Sequence, residues 1–192
     1  MPHIKVDENL PGIRSLMAFS PETAAPMGEL ANLLLRTNEG LTMVERELIA
    51  TYTSCLNNCF YCEHSHGAIV TCYLNGNDQL VNQVLEDPDK APISDKMKAL
   101  LSIAGSAQES GKYVTAAQVE AAKNAGATDK DIHDTVLITA AFCMFNRYVD
   151  GLASNTPSDL SSYPLRARQI AEKGYGNHIF INKQPVADEQ HK

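Results

Sequence analysis

The run Glu45 to His66 concentrates more reactive side chains than any other part of the chain: three cysteines, two histidines and several carboxylates. Cys59 and Cys62 form a C-x-x-C pair, His66 follows Cys62 by four residues, and Glu47 precedes Cys59 by twelve. If Asn58 caps a helix beginning at Cys59, both cysteines fall in its first turn, where the free backbone N–H groups and the helix dipole stabilise a thiolate. On that helix Cys62 and His66 share one face, so the imidazole can take the thiol proton. Cys59 and Cys62, three residues apart, are close enough for a disulfide with little backbone movement. The chemistry this pattern suits is thiol redox chemistry. The dipole favours Cys59 as the thiolate and His66 favours Cys62. A direct proton acceptor outweighs a partly screened dipole, so Cys62 is read as the reactive sulfur.

Two metal readings compete for the same residues. Cys59, Cys62, His64 and His66 could supply a Cys₂His₂ zinc set, but structural zinc sites draw their ligand pairs from separate segments. Cys55, Cys59 and Cys62 match the spacing that holds an iron–sulfur cluster in radical S-adenosylmethionine enzymes. Those enzymes need repeated strand–helix units, whereas the sequence after Cys62 reads as helix throughout. No metal and no cofactor is therefore expected. Cys55, Cys72 and Cys143 have no acid–base partner nearby in sequence and read as packing residues. His64 points away from the Cys62/His66 face, and His133, His178 and His191 carry no motif. The Arg147/Asp150 pair suits either an internal ion pair or a pocket wall.

The elements that must position these residues all read as helices. Ser20-Pro21-Glu22 starts one that runs to Arg36, and Thr42 with Glu45 makes a capping box for the next. Asn57-Asn58 breaks that helix, and the cysteine helix runs from Cys59 to about Leu74. Asp78–Leu85 is a short helix. Ser94-Asp95 opens one carrying Met97, Leu100, Leu101 and Ile103, and Thr115 caps another that stops at Gly126. Thr128 begins the longest, to about Ala153, with apolar residues nearly all round, so it is expected at the buried centre. A short helix near Arg166–Lys173 and a polar tail follow. The expected organisation is an N-terminal extended arm (1–19), an all-α helical domain (20–155) and a C-terminal extension (156–192).

With 192 residues, the chain is long enough to bury one core. A net charge of −7 with no long basic run argues against nucleic acid as partner. Neither an apolar run of membrane-spanning length nor a signal-peptide core is present in the sequence, so a soluble cytoplasmic protein is expected. Five cysteines, three of them within eight residues, do not suit a secreted disulfide framework.

The run Glu47-x₁₁-Cys59-x₂-Cys62-x₃-His66 resembles the signature of the AhpD-like alkylhydroperoxidases of the carboxymuconolactone decarboxylase superfamily. Pro11-Gly12-Ile13, Ser20-Pro21-Glu22, Glu45 to Ala50 and Asn146-Arg147 resemble its peroxidase-related branch. The resemblance implies an AhpD-like helical bundle that assembles into dimers, trimers or hexamers. It implies Cys62 as the peroxidatic and Cys59 as the resolving cysteine, with His66 and Glu47 as proton relay. The substrate it implies is a small organic hydroperoxide, and the reductant a dithiol such as a lipoylated or thioredoxin-like protein. The best-known members carry histidine directly before the second cysteine, where this chain has Tyr61, a phenol that can donate a hydrogen bond but is no base near neutral pH. The alternatives are a carboxymuconolactone decarboxylase-like enzyme, whose relatives typically lack the C-x-x-C pair, and a non-enzymatic thiol redox sensor.

Overall fold

Polar residues set the helix boundaries of this protein. A computed structural model describes residues 1–37 and 39–175; within them the chain is helical, with no strand. Its α-helices are α1 (Ile13–Phe19), α2 (Pro21–Leu35), α3 (Met43–Leu56), α4 (Phe60–Tyr73), α5 (Gln79–Glu86), α6 (Asp95–Glu109), α7 (Ala116–Asn124), α8 (Asp129–Gly151) and α9 (Tyr163–Lys173). Thr42, Thr115 and Thr128 each close a capping box, with Glu45, Gln118 and Asp131 respectively, and Ser94 caps α6 by accepting from the Met97 N–H. Each cap satisfies backbone N–H groups that the first helical turn leaves without partners. Among the described residues no helix is long and apolar enough to cross a membrane.

The main core joins α2, α3, α6 and α8 through residues such as Leu35, Leu48, Ile49, Leu100, Ile103, Ile138 and Phe142, all but excluded from solvent. Helices α3 and α4 pack side by side as an antiparallel pair, and α9 lies along α4. A smaller cluster of Cys59, Tyr61, Cys62, Val149 and Tyr163 fills the junction of α4, α8 and the start of α9.

Three expectations are corrected. The N-terminal segment is not extended throughout, because Ile13–Phe19 forms about two helical turns whose Leu16 is fully buried. Helix α8 is not buried all round: Lys130, His133, Leu137, Ala140, Met144 and Arg147 lie on one exposed stripe, with Leu137 41% and Met144 45% exposed. Apolar residues are ordinary on protein surfaces, so their presence on every face of a helix does not specify burial. Asn58 does not cap α4. It adopts a left-handed conformation (φ 57°), with its N–H on the Cys55 carbonyl at 2.8 Å and the Cys59 N–H on the Ser54 carbonyl at 3.0 Å. Those two bonds are the Schellman closure of α3, a role for which asparagine is second only to glycine. His178, His191 and the polar tail lie outside the described residues.

Candidate active site

Cys59 serves two helices at once. Its N–H finishes the Schellman turn of α3, and its carbonyl accepts the Glu63 N–H at 3.0 Å as the N-terminal boundary of α4. The two cysteines are thereby fixed on one turn, Cys59 fully buried and Cys62 nearly so. The turn is braced from α8 and α6: Asn146 of α8 donates to Ser54 Oγ at 3.1 Å and accepts from Asn57 Nδ2 at 2.8 Å, while Gln108 of α6 donates to Asn57 Oδ1 at 2.8 Å. All five cysteines are free thiols.

The two sulfurs meet different surroundings. Cys59 is hydrogen-bonded with the Cys62 thiol, buried, and faced by the Cys62 and Asp150 charges, which together push its pKa strongly upward. Burial raises the pKa of the nearby Asp150 carboxyl, whose charge in turn adds to the rise at Cys59. Arg147 instead donates to the Cys143 carbonyl at 2.9 Å, so no Arg147/Asp150 ion pair forms. Cys62 borders a cavity of about 140 Å³ that His66 also lines.

Glu47 and His66 come from facing sides of the α3–α4 pair. The Glu47 carboxylate is fully excluded from solvent, and its Oε2 accepts from His66 Nδ1 at 2.7 Å. With Nδ1–H committed to the carboxylate, the lone pair of the neutral ring lies on Nε2, which makes His66 a proton acceptor of fixed tautomer. The edge of Phe142 packs on the ring, 4.6 Å between centroids. A third member arrives from the far end of the chain: the Tyr175 hydroxyl donates to Glu47 Oε1 and lies 3.2 Å from His66 Nδ1, its ring stacked on the imidazole. Burial, then the Glu47 charge, hold the Tyr175 phenol well above its ordinary pKa, so it remains a donor.

Delivery of Tyr175 depends on how α9 ends. Gly174 takes a left-handed φ of 84°, and a Cβ there would fall 2.6 Å from Asn32 Oδ1. That same oxygen accepts the Tyr175 N–H at 2.8 Å. Arg36 holds the last turn of α9 through the Ile170 and Ala171 carbonyls at 2.7 and 3.0 Å. Tyr175 was not anticipated; a glycine directly after a helical pattern is the only local sign, and nothing marks the residue beyond it as functional.

Tyr61, in front of Cys62, packs rather than titrates. Burial pushes its phenol up to about 12, its ring leans on Tyr163 at 6.0 Å, and Gly12 lies so close (φ 56°) that a Cβ there would sit 2.2 Å from the ring. The Pro11-Gly12 turn therefore closes the cavity wall. His64 bonds the Phe60 carbonyl at 2.9 Å and stacks on Phe60, away from the site. A larger, open cleft of about 510 Å³ lies along the opposite side of α4, lined by His64 and Cys72 but by neither Cys62 nor His66. Cys143 packs beside Asn57 and Gln108, and burial raises the Cys55 thiol to about 11. Among the described residues no three His, Cys, Asp or Glu side chains converge in a way that could hold a metal ion.

Comparison with known proteins agrees with this architecture. A sequence profile of the carboxymuconolactone decarboxylase family matches residues 21–71 and 73–154. The chain is similar to the crystal structure of an alkylhydroperoxidase AhpD core, an uncharacterised peroxidase-related protein from Ralstonia eutropha JMP134. That match has 30% identity and a TM-score of 0.72, and covers 83% of this chain and 82% of that one. It is also similar to an uncharacterised peroxidase-related protein from Silicibacter sp. TM1040, with 28% identity and a TM-score of 0.71 over 80% of this chain and 78% of that one. No protein of curated function matches it by sequence.

Proposed function

The chain belongs to the carboxymuconolactone decarboxylase family, and from that premise we propose that it is a thiol-dependent peroxidase that reduces small organic hydroperoxides. The observation that carries the reading is geometric: Cys62 shares a cavity with His66, whose Nδ1 is held by the buried Glu47 carboxylate, and Cys59 is buried one helical turn before Cys62.

His66 takes the Cys62 proton, and buried Glu47 stabilises the imidazolium that forms. The thiolate attacks the terminal oxygen of R–O–O–H, and the O–O bond breaks. The departing alkoxide takes the proton from His66 and leaves as ROH, with Cys62 now a sulfenic acid. Cys59 then attacks the Cys62 sulfur, expelling the hydroxyl, which leaves as water with the Cys59 proton. Asp150, close enough for its charge to act on Cys59, can receive that proton on its way to solvent. The resulting Cys59–Cys62 disulfide is reduced by an external dithiol, which itself becomes a disulfide. Rapid resolution keeps Cys62 on the reversible part of the oxidation ladder.

The test is turnover. With excess organic hydroperoxide and a dithiol reductant, the protein should consume many equivalents per Cys62. A redox sensor would consume one, and a lactone decarboxylase would consume none.

A further inference from the structure

Two arginines line the Cys62 cavity with no carboxylate paired to either among the described residues. Arg14 comes from α1 and Arg166 from α9, and both line the cavity that holds Cys62, Tyr61 and His66. Neither forms an ion pair with any carboxylate among the described residues. Arg14 Nε is sealed from solvent without a hydrogen-bond partner. Arg166 makes one long contact, 3.3 Å, to the neutral Gln169. They are near enough to act on each other, since burial and then the Arg14 charge lower Arg166 from its ordinary value, and both act on the Tyr61 phenol.

Arginine in a protein cannot escape this by deprotonating. Two like charges held half out of water without a counter-charge are costly unless an anion completes them. Much of the remaining wall is apolar, formed by Ile13, Met17, Met27, Ile69 and Phe145, with Ser65 and Ser162 also on it. Its volume of about 140 Å³ is close to that of a cavity that accepts benzene. A planar anion on a small apolar body matches both features, and the guanidinium fork matches a carboxylate in particular.

We infer that Arg14 and Arg166 form a carboxylate-binding subsite beside Cys62, and that the substrate is a small hydroperoxide carrying a carboxylate. The substrate class rests on the peroxidase reading of Cys62; the anion subsite does not. Two measurements separate them.

The first uses no peroxide. Cys62 of the reduced protein is alkylated with iodoacetate or with neutral iodoacetamide, and the rates are read by mass spectrometry of the Cys62 peptide. The iodoacetate-to-iodoacetamide rate ratio should fall at least about tenfold in Arg14→Gln and in Arg166→Gln, the loss of one charge-assisted hydrogen bond. In the unaltered protein, where folding is not in question, benzoate should slow iodoacetamide at Cys62 while benzamide does not. An unchanged ratio, or equal protection by benzoate and benzamide, overturns the subsite.

The second compares turnover of a small hydroperoxide carrying a carboxylate with that of its methyl ester. The acid should be preferred at least about tenfold in kcat/KM, with the preference reduced in both variants. Equal turnover of acid and ester overturns the substrate class while leaving the peroxidase reading standing. If neither peroxide is consumed but the alkylation ratio falls as expected, the peroxidase reading fails and the subsite stands.

Discussion

Arg46 and Glu47 are adjacent on α3, both fully buried and both charged, yet they face different environments. Arg46 is saturated by protein: it donates to the Leu34, Glu39 and Leu41 carbonyls and pairs with Asp134 at 2.7 Å. Asp134 is itself met by Lys130 and His133. Glu47 is also hydrogen-bonded, but its partner His66 borders a cavity shared with a thiol. Burial of a charge does not by itself mark a functional group. What distinguishes these two is where the chain of contacts ends: on backbone carbonyls for Arg46, on open space beside Cys62 for Glu47. Arg14 and Arg166 extend the contrast, since among the described residues neither is paired with a carboxylate.

The sharpest way to break the comparison is at the cavity itself. Cys62→Ser should lower hydroperoxide turnover at least about 10³-fold while leaving the melting temperature nearly unchanged. Retained turnover would move the chemistry elsewhere.

The reverse pattern is expected at the saturated pair. Arg46→Met should cost about 3–5 kcal/mol in chemical denaturation, because it leaves the Leu34, Glu39 and Leu41 carbonyls without their donor and removes one of the three cationic partners of Asp134. Burial opposes ionisation of Asp134, but hydrogen bonds from Lys130, His133 and Arg46 outweigh it and bring its pKa down to about 2 from an ordinary 3.8. A depressed carboxylate contributes stability that is complete above about pH 4 and lost as pH falls through about 2. Denaturation at pH 7, 4 and 3 should show stability falling only at the acid end, and Asp134→Asn should flatten that fall.

Glu47→Gln keeps the shape but removes the charge that supports the His66 imidazolium. Turnover should drop about 10²-fold, near the lower end of what general base catalysis contributes, with a smaller stability change than Arg46→Met gives. The smallest effect belongs to Tyr175→Phe, which removes one donor to Glu47 and should lower turnover no more than about tenfold. If its effect equalled that of Glu47→Gln, Tyr175 would be transferring a proton rather than positioning the carboxylate.

The parts of this arrangement that were legible in sequence are local. Thr42 with Glu45, Ser94, Thr115 and Thr128 announce helix starts because a cap and its helix lie within four residues. The Cys62/His66 face follows from helical spacing alone. Asn58 misled because asparagine suits both the start of a helix and the left-handed end of one, and the Schellman closure of α3 decides between them. Tyr175 was hidden by distance, 109 residues beyond His66, as was the Arg46–Asp134 pair, 88 residues apart. Arg14 sits in a segment that reads as an extended arm, and it reaches the cavity through long-range contacts such as the packing of Gly12 on Tyr61 and the Gly12 N–H on the Asn155 carbonyl at 2.7 Å.

The most direct test of the central claim is a thiol count. Reduced protein is treated with one equivalent of an organic hydroperoxide, alkylated, digested and mapped by mass spectrometry. Loss of two of the five alkylation sites, recovered as a Cys59–Cys62 disulfide, is the predicted result. Five alkylated cysteines after exposure would contradict the account.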